Sequence, residues 1–165
     1  MDFNDIACNI IKEFEGFVPK PYKCPAGVWT IGYGTTYYLD GTPVRSTDKT
    51  MTEIQASELL RQKLIRNFVP ILSRKIPSWW AMNNNQKAAV ISFAYNLGAN
   101  FYNSNGFNTI SKALSARANW LNVPSALMLY INPGSSFEVG LRRRRAAEAE
   151  LWQGKGKFAK PSQGC

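Results

Sequence analysis

Histidine is absent from this 165-residue chain, and that absence closes several chemical routes. Without an imidazole there is no Ser-His-Asp or Cys-His activation of a nucleophile, and zinc loses its commonest nitrogen ligand. Cysteine is scarce: Cys8, Cys24 and Cys165 are unevenly spaced, form no CxxC and are too few for a disulfide framework. No apolar run approaches the roughly 18 residues that a membrane-spanning helix needs. The opening MDFNDIACNIIKEFE carries acids where a secretory leader carries Lys or Arg. The expectation is a protein made in a cytoplasm from Met1, with no signal, no anchor and no stable membrane insertion. Acids are also in short supply, eleven against twenty bases, giving a net charge of +9. Such a surplus attracts polyanions, whether nucleic acid, anionic lipid or wall polymer, without choosing among them.

What is present organises into segments. Residues 3 to 15 place Phe3, Ile6, Ile10 and Phe14 at three- and four-residue steps, a first helix that Gly16 is placed to stop. From 17 to 50 the texture changes to Gly, Pro, Tyr and Thr. Short runs there (VWTIGYG, TYYLDG, TPVRS) predict a small irregular antiparallel sheet. Thr52 with Gln55 opens a capping box for a long helix over 51–76, with an apolar stripe at Ile54, Leu59, Leu60, Leu64, Ile65, Phe68 and Leu72. Pro70 lies inside that run, where it is expected to kink or end the helix. Residues 77–153 read as a helical lobe, including NNNQKAAVISFAYNLG and GLRRRRAAEAELW, and 154–165 as a loose tail. The expectation is one α+β domain over 1–165, its 1–50 helix-and-sheet lobe joined by the long helix to the helical lobe.

The stretch EFEGFVPKPYKCPAGVWTIGYGTT strings an acid, a thiol and a hydroxyl along a loop-rich segment. Glu15 stands at a helix C-terminus, where the dipole disfavours negative charge, among apolar Phe14, Phe17 and Val18. Both conditions favour the protonated carboxyl that a general acid requires. Taken singly, Glu15 reads as a solvated helix-end acid, Cys24 as a small buried hydrophobe and Thr30 as an ordinary strand residue.

Their joint spacing carries more. Eight residues separate Glu15 from Cys24 and five separate Cys24 from Thr30, followed by IGYG. This resembles the signature of the phage-type lysozymes, the endolysin muramidases of glycoside hydrolase family 24: Glu, eight residues, Asp or Cys, five residues, Thr. QKAAVISFAYNLG and GLRRRRAAEAELW are similar to that family's bundle helices, so the resemblance runs over about residues 5 to 152. It implies a lysozyme-like fold with a glycan cleft between the lobes. It also implies hydrolysis of the β-1,4 bond between N-acetylmuramic acid and N-acetylglucosamine in bacterial peptidoglycan, causing host cell lysis.

By position, the resemblance makes Glu15 the general acid, Thr30 a hydroxyl that holds the attacking water, and Cys24 the counterpart of a common aspartate, with inversion expected. Gly32, Tyr33 and Gly34 would support the cleft wall. Tyr33, Phe107 and Asn108 are the substrate-binding candidates. A thiol with a pKa of about 8.5 is mostly neutral at pH 7 and cannot supply a fixed negative charge. Either Lys20 and Lys23 lower it to a thiolate, or a neutral thiol positions water. The second is preferred, because the lysines need not point at the sulfur. The sequence departs from the family where GYG is commonly followed by His-Thr; here Thr35 and Thr36 follow, and a structural buttress is missing.

The run Arg142 to Arg145 reads as a solvated helix face pairing with Glu148 and Glu150; the family implies instead that one arginine, Arg144, reaches the acid. Trp79 and Trp80 could form a sugar platform, but such a pair between helices more often caps a core. A protonated acid and a positioned water need no cofactor and no metal. The expected partner is peptidoglycan, with no nucleic acid, a monomeric protein and a separate holin for release from the host cytoplasm to the periplasm or wall. The rivals are a lytic transglycosylase acting on the same bond and a non-catalytic wall-binding module.

Overall fold

The computed structural model describes residues 1–159; residues 160–165, including Cys165, lie outside it. Helix α1 spans Phe3–Glu15 and is capped by Asp2, whose side chain accepts from the Asp5 amide in a reciprocal capping box. Its buried face of Ile6, Ala7, Ile10 and Ile11 is the stripe expected from the sequence. Gly16 ends it at φ 70°, its N–H donating to the Lys12 carbonyl.

The sheet is smaller than expected. Two antiparallel strands, β1 (Val18–Lys23) and β2 (Trp29–Gly32), make up the sheet found among the described residues, and TYYLDG and TPVRS contribute an isolated bridge, Tyr37 to Pro43. β1 contains Pro19 and Pro21, which carry no N–H for a ladder. The pairing jumps from Val18–Gly32 to Tyr22–Thr30, so four steps on β1 face two on β2 and the proline segment bulges out.

Helix α2 (Glu53–Lys63) starts at the predicted Thr52/Gln55 capping box. Pro70 does not lie inside a continuous α-helix: the regular helix is interrupted just before it. A π-helical turn over Leu64–Phe68 precedes it, the Val69 N–H donating to the Leu64 carbonyl five residues back. α3 (Val69–Lys75) then restarts with Pro70 in its first turn, where a missing N–H costs nothing. Leu60, Leu64 and Leu72 of the predicted stripe are fully buried, whereas Ile54 is 83% exposed. Ile54 lies two residues before buried Ala56, about 200° around a 3.6-residue helix.

A short 3₁₀ turn, Trp79–Ala81, leads to α4 (Asn84–Leu97), in which every residue from Ala88 to Ala94 is buried. A helix apolar on all sides belongs at the centre of a core. α1 packs on one side of α4 and α7 (Glu138–Trp152) on another, while α5 (Asn108–Leu114) and α6 (Val123–Leu127) close the lobe. The segment expected to be loose instead turns back between Gly154 and Ala159: Lys157 pairs with Glu13 at 2.6 Å and Phe158 packs on the core.

Candidate active site

The C-terminal end of α1 brings Glu15 between α7 and the Gly-Tyr-Gly turn. Its Oε1 accepts from Arg144 Nη1 at 2.7 Å. Arg144 is 4% exposed and Glu15 23%, so the guanidinium is sealed inside while the carboxyl keeps an opening. On the other side, a Cβ added to Gly34 would lie 2.8 Å from Glu15 Oε2, and Gly34 has φ 79°. A glycine is therefore required twice over, by backbone conformation and by the close approach of the acid. The Tyr95 hydroxyl on α4 donates to the Tyr33 carbonyl at 2.6 Å, holding the turn from below. Burial, with Glu15 nearby, pushes the Tyr95 phenol far upward, so it remains a donor. Where the family's histidine would stand, Thr35 is buried and exchanges two 2.9 Å backbone hydrogen bonds with Ile31.

Cys24 and Thr30 sit at the end of the β1–β2 hairpin. The Cys24 N–H donates to the Val28 carbonyl at 3.0 Å, and the Gly27 N–H returns to the Cys24 carbonyl at 2.8 Å. Thr30, buried opposite Tyr22, donates its hydroxyl to the same Val28 carbonyl at 3.0 Å. The thiol is held below its ordinary value, chiefly by the Val28 N–H facing the sulfur, with the Ala26 N–H adding and partial desolvation opposing. The Thr30 hydroxyl contributes less, its hydrogen being engaged by Val28. Backbone amides, not Lys20 or Lys23, do the lowering; the Lys23 ammonium stands over the Trp29 ring, 5.6 Å from its centroid. Tyr22 connects the two halves: burial, then the charges of Glu15 and Cys24, push its phenol up. Cys8 and Cys24 are both free thiols.

The arginine run is not a solvated face. Arg142 is exposed and pairs with Glu138 at 2.8 Å, but Arg144, Arg145 and Glu148 are buried in the core. Glu148 is fully buried, accepting from the Ser92 hydroxyl on α4 at 2.7 Å and from Arg145 Nη2 at 2.9 Å. The expected partner Glu150 points elsewhere, toward Gly156.

None of the substrate-binding candidates Tyr33, Phe107 and Asn108 lines the cavity beside Glu15. The Tyr33 ring is 4% exposed, packs against Phe17 and donates its hydroxyl to Glu53 at 2.7 Å, so it braces α2 rather than facing a groove. Phe107 is stacked on Tyr130 at 5.2 Å within an aromatic cluster that includes Phe93 and Phe101. Asn108, at the start of α5, lines a separate groove with Thr109 and Lys112. Trp79 is core, as expected, and Trp80 is 77% exposed with Lys87 over its ring. The space beside Glu15 is instead a cavity of about 770 Å³ lined by Phe14, Asn96, Leu97, Phe137, Leu141 and Arg143. Nothing in the local spacing of Asn96 or Phe137 marks them, because they come from α4 and from the turn before α7.

The model of the phage lysozyme family matches residues 12–148. The SAR-endolysin of Haemophilus phage HP1 is 30% identical over 156 residues, covering 90% of this chain and 79% of that protein. The endolysin of Salmonella phage P22 is 30% identical over 141 residues, covering 84% of this chain and 90% of that one. Among solved structures, an endolysin from Escherichia coli O157:H7 phage FAHEc1 superposes with a TM-score of 0.74 at 28% identity, covering 92% and 93% of the two chains. A P22 lysozyme mutant gives a TM-score of 0.69 at 29% identity, over 89% of this chain and 94% of the other.

Proposed function

The chain belongs to the phage lysozyme family, and from that premise we propose that Glu15 is the general acid of a muramidase site whose water is held by the β1–β2 hairpin. The protein is a lysozyme-type glycoside hydrolase that degrades bacterial peptidoglycan. The scissile bond is the β-1,4 linkage between N-acetylmuramic acid and N-acetylglucosamine, with inversion at the anomeric carbon. The observation that carries the assignment of roles is the half-open Glu15 carboxyl, gripped through Oε1 by Arg144 and left uncovered at Oε2 because Gly34 beside it has no side chain.

Each role follows from an atom. Arg144 occupies Oε1 and fixes the plane of the carboxyl, which leaves Oε2 to carry the proton for the glycosidic oxygen. Thr30, whose hydroxyl hydrogen goes to Val28, offers its oxygen lone pairs to a water. Cys24, whose thiol is held below its ordinary value by backbone amides, stands where an aspartate is common. Beside Thr30 it would orient the water for attack on the anomeric carbon.

Host lysis is the biological outcome in this reading. A separate holin would provide the route from the host cytoplasm to the periplasm and wall. Among the described residues no helix is long and apolar enough to cross a membrane. The enzyme works as a monomer, and its +9 charge serves attraction to anionic walls rather than nucleic acid.

The test is digestion of purified peptidoglycan by wild type and Glu15→Gln, followed by mass analysis of the new ends. Reducing N-acetylmuramic acid ends from wild type and none from the variant are expected. Anhydro ends would instead mean a lytic transglycosylase, and N-acetylglucosamine reducing ends would mean that the opposite bond is cut.

A further inference from the structure

We infer that Glu148, which lies under Arg144 and has no exposed surface, is the positioning residue that sets both the place and the effective charge of Arg144 at Glu15. The inference rests on Glu15 being the acid. Three groups from two helices meet around one oxygen. Glu148 Oε1 accepts from Ser92 Oγ at 2.7 Å, from Arg145 Nη2 at 2.9 Å and from Arg144 Nε at 3.4 Å. Oε2 lies 2.8 Å from Arg145 Nε. Arg144 has one further tie, Nη2 to the Ser92 carbonyl at 3.1 Å. With Nε and Nη2 held inside, Nη1 is the end directed at Glu15.

The charges matter as much as the geometry. Glu15 faces Arg144 from α7, Tyr95 from α4 and Tyr22 from β1. Arg144 faces Glu15, Glu148 and the Phe14 ring. Arg145, fully buried, meets Glu148 and the Phe93 ring, 4.8 Å from its centroid. Two guanidiniums therefore stand against two carboxylates. Burial pushes the Glu148 carboxyl up while Arg145 and Arg144 pull it back. A neutral Glu148 would strand Arg145 in the core without a counter-charge, so the ionised form fits the arrangement. That negative charge offsets part of the field of Arg144. Without it, Arg144 would hold Glu15 more firmly as the carboxylate, the form that cannot donate a proton.

The consequence is a pH signature that a merely structural residue would not produce. In Glu148→Gln, which keeps the shape and an acceptor for Ser92, the alkaline limb of the kcat/KM profile should move toward acid by about one pH unit. kcat near neutrality should fall roughly tenfold, with KM within about twofold of wild type. Because Glu148→Gln leaves Arg145 uncompensated, the double variant Arg145→Met/Glu148→Gln is measured beside it. Replacing a buried ion pair by matched uncharged groups is commonly tolerated, and Arg144 still loses its inner carboxylate. A lower kcat and an acid-shifted limb in a folded variant support the inference. Wild-type kcat and limb in either folded variant overturn it, as does failure of both to fold. Glu15→Gln separates the layers: if it stays active, the reading of Glu15 fails; if it is dead while the Glu148 variants behave as wild type, the inference fails alone.

Discussion

Glu15 and Arg144, 129 positions apart in sequence, meet through one oxygen and one nitrogen at 2.7 Å. The guanidinium is fixed on its other edges by the Ser92 carbonyl and Glu148, so it acts as a bracket anchored in the core. A lysine there would place one ammonium where three directed donors are needed. Arg144→Lys is expected to lower kcat by about ten- to a hundredfold and to destabilise the fold by roughly 2–4 kcal/mol, since Glu148 loses part of its compensation. Glu15→Gln should lower kcat by roughly 10³-fold, within the usual range for general acid catalysis, while leaving the melting temperature near wild type. Initial rates on purified peptidoglycan together with thermal melts check both. An Arg144→Lys enzyme of full activity would show that the bracket is dispensable.

Cys24 offers a second test because its thiol is lowered by amides that belong to the turn itself. A depressed thiol is ionised from a lower pH than an ordinary one, so alkylation of Cys24 by iodoacetamide should reach half its maximal rate at a lower pH in the folded protein than in the urea-unfolded chain, and should abolish activity. Cys24→Asp, with a permanent charge, should retain lysis. Cys24→Ser, which keeps size and hydrogen bonding but cannot ionise near neutrality, should lose about tenfold or more in kcat if the thiolate takes part. Full activity in a folded Cys24→Ser enzyme would favour the neutral thiol that only positions water.

The parts of this fold legible in the sequence are those encoded locally. The capping residue Thr52 and the stop signal at Gly16 act within a turn of the helices they bound. The acid, thiol and hydroxyl were findable because their spacing is itself the signal. The inner layer was legible only at Arg144, which the family resemblance directs to Glu15 and which meets it at 2.7 Å. Arg145 and Glu148 have the composition of a solvated helix, and their burial is decided by α4, whose Ser92 supplies a hydroxyl to Glu148 from more than fifty positions away. Where the Tyr33 and Phe107 rings pack is likewise set by distant partners: an aromatic beside a signature can face the core as well as the cleft, and Phe17, Glu53 and Tyr130 hold these two.

Gly34 joins backbone and chemistry at one position. Alanine there must adopt φ near 79° and must also push its Cβ to 2.8 Å from Glu15 Oε2. The left-handed backbone alone costs roughly 1–2 kcal/mol. The displaced carboxyl would lose its bond to Arg144 or its aim at the substrate. Gly34→Ala should therefore lose activity out of proportion to stability, about a hundredfold in kcat for roughly 2 kcal/mol, since small misplacements of a catalytic group are costly. Gly27→Ala is the control: it shares the left-handed conformation, at φ 79°, but meets nothing within 4 Å. Equal losses in kcat for the two variants would trace the effect to backbone strain alone.

Cys8 sets the alkaline edge of stability. It is buried on α1, and burial raises its thiol from 9.0 to about 11, with Lys12 and Arg61 pulling weakly the other way. Below pH 9 the folded and unfolded states both keep the proton, and the contribution is fully present. As pH rises from 9 to 11 the unfolded chain releases its proton first, so folding stability falls, by about 2–3 kcal/mol over the interval. Tyr38, raised to about 12 by burial and by its 2.7 Å hydrogen bond to Asp48, adds a further decline that begins nearer pH 10. Cys8→Ala separates the two. Near neutrality the variant should be less stable by about 1 kcal/mol for the small cavity it creates. Its stability should then fall less steeply above pH 9, so that it equals or exceeds wild type by pH 11. Urea midpoints measured across that range decide the matter, and a constant offset between the two proteins from neutrality to pH 11 would remove Cys8 from the account.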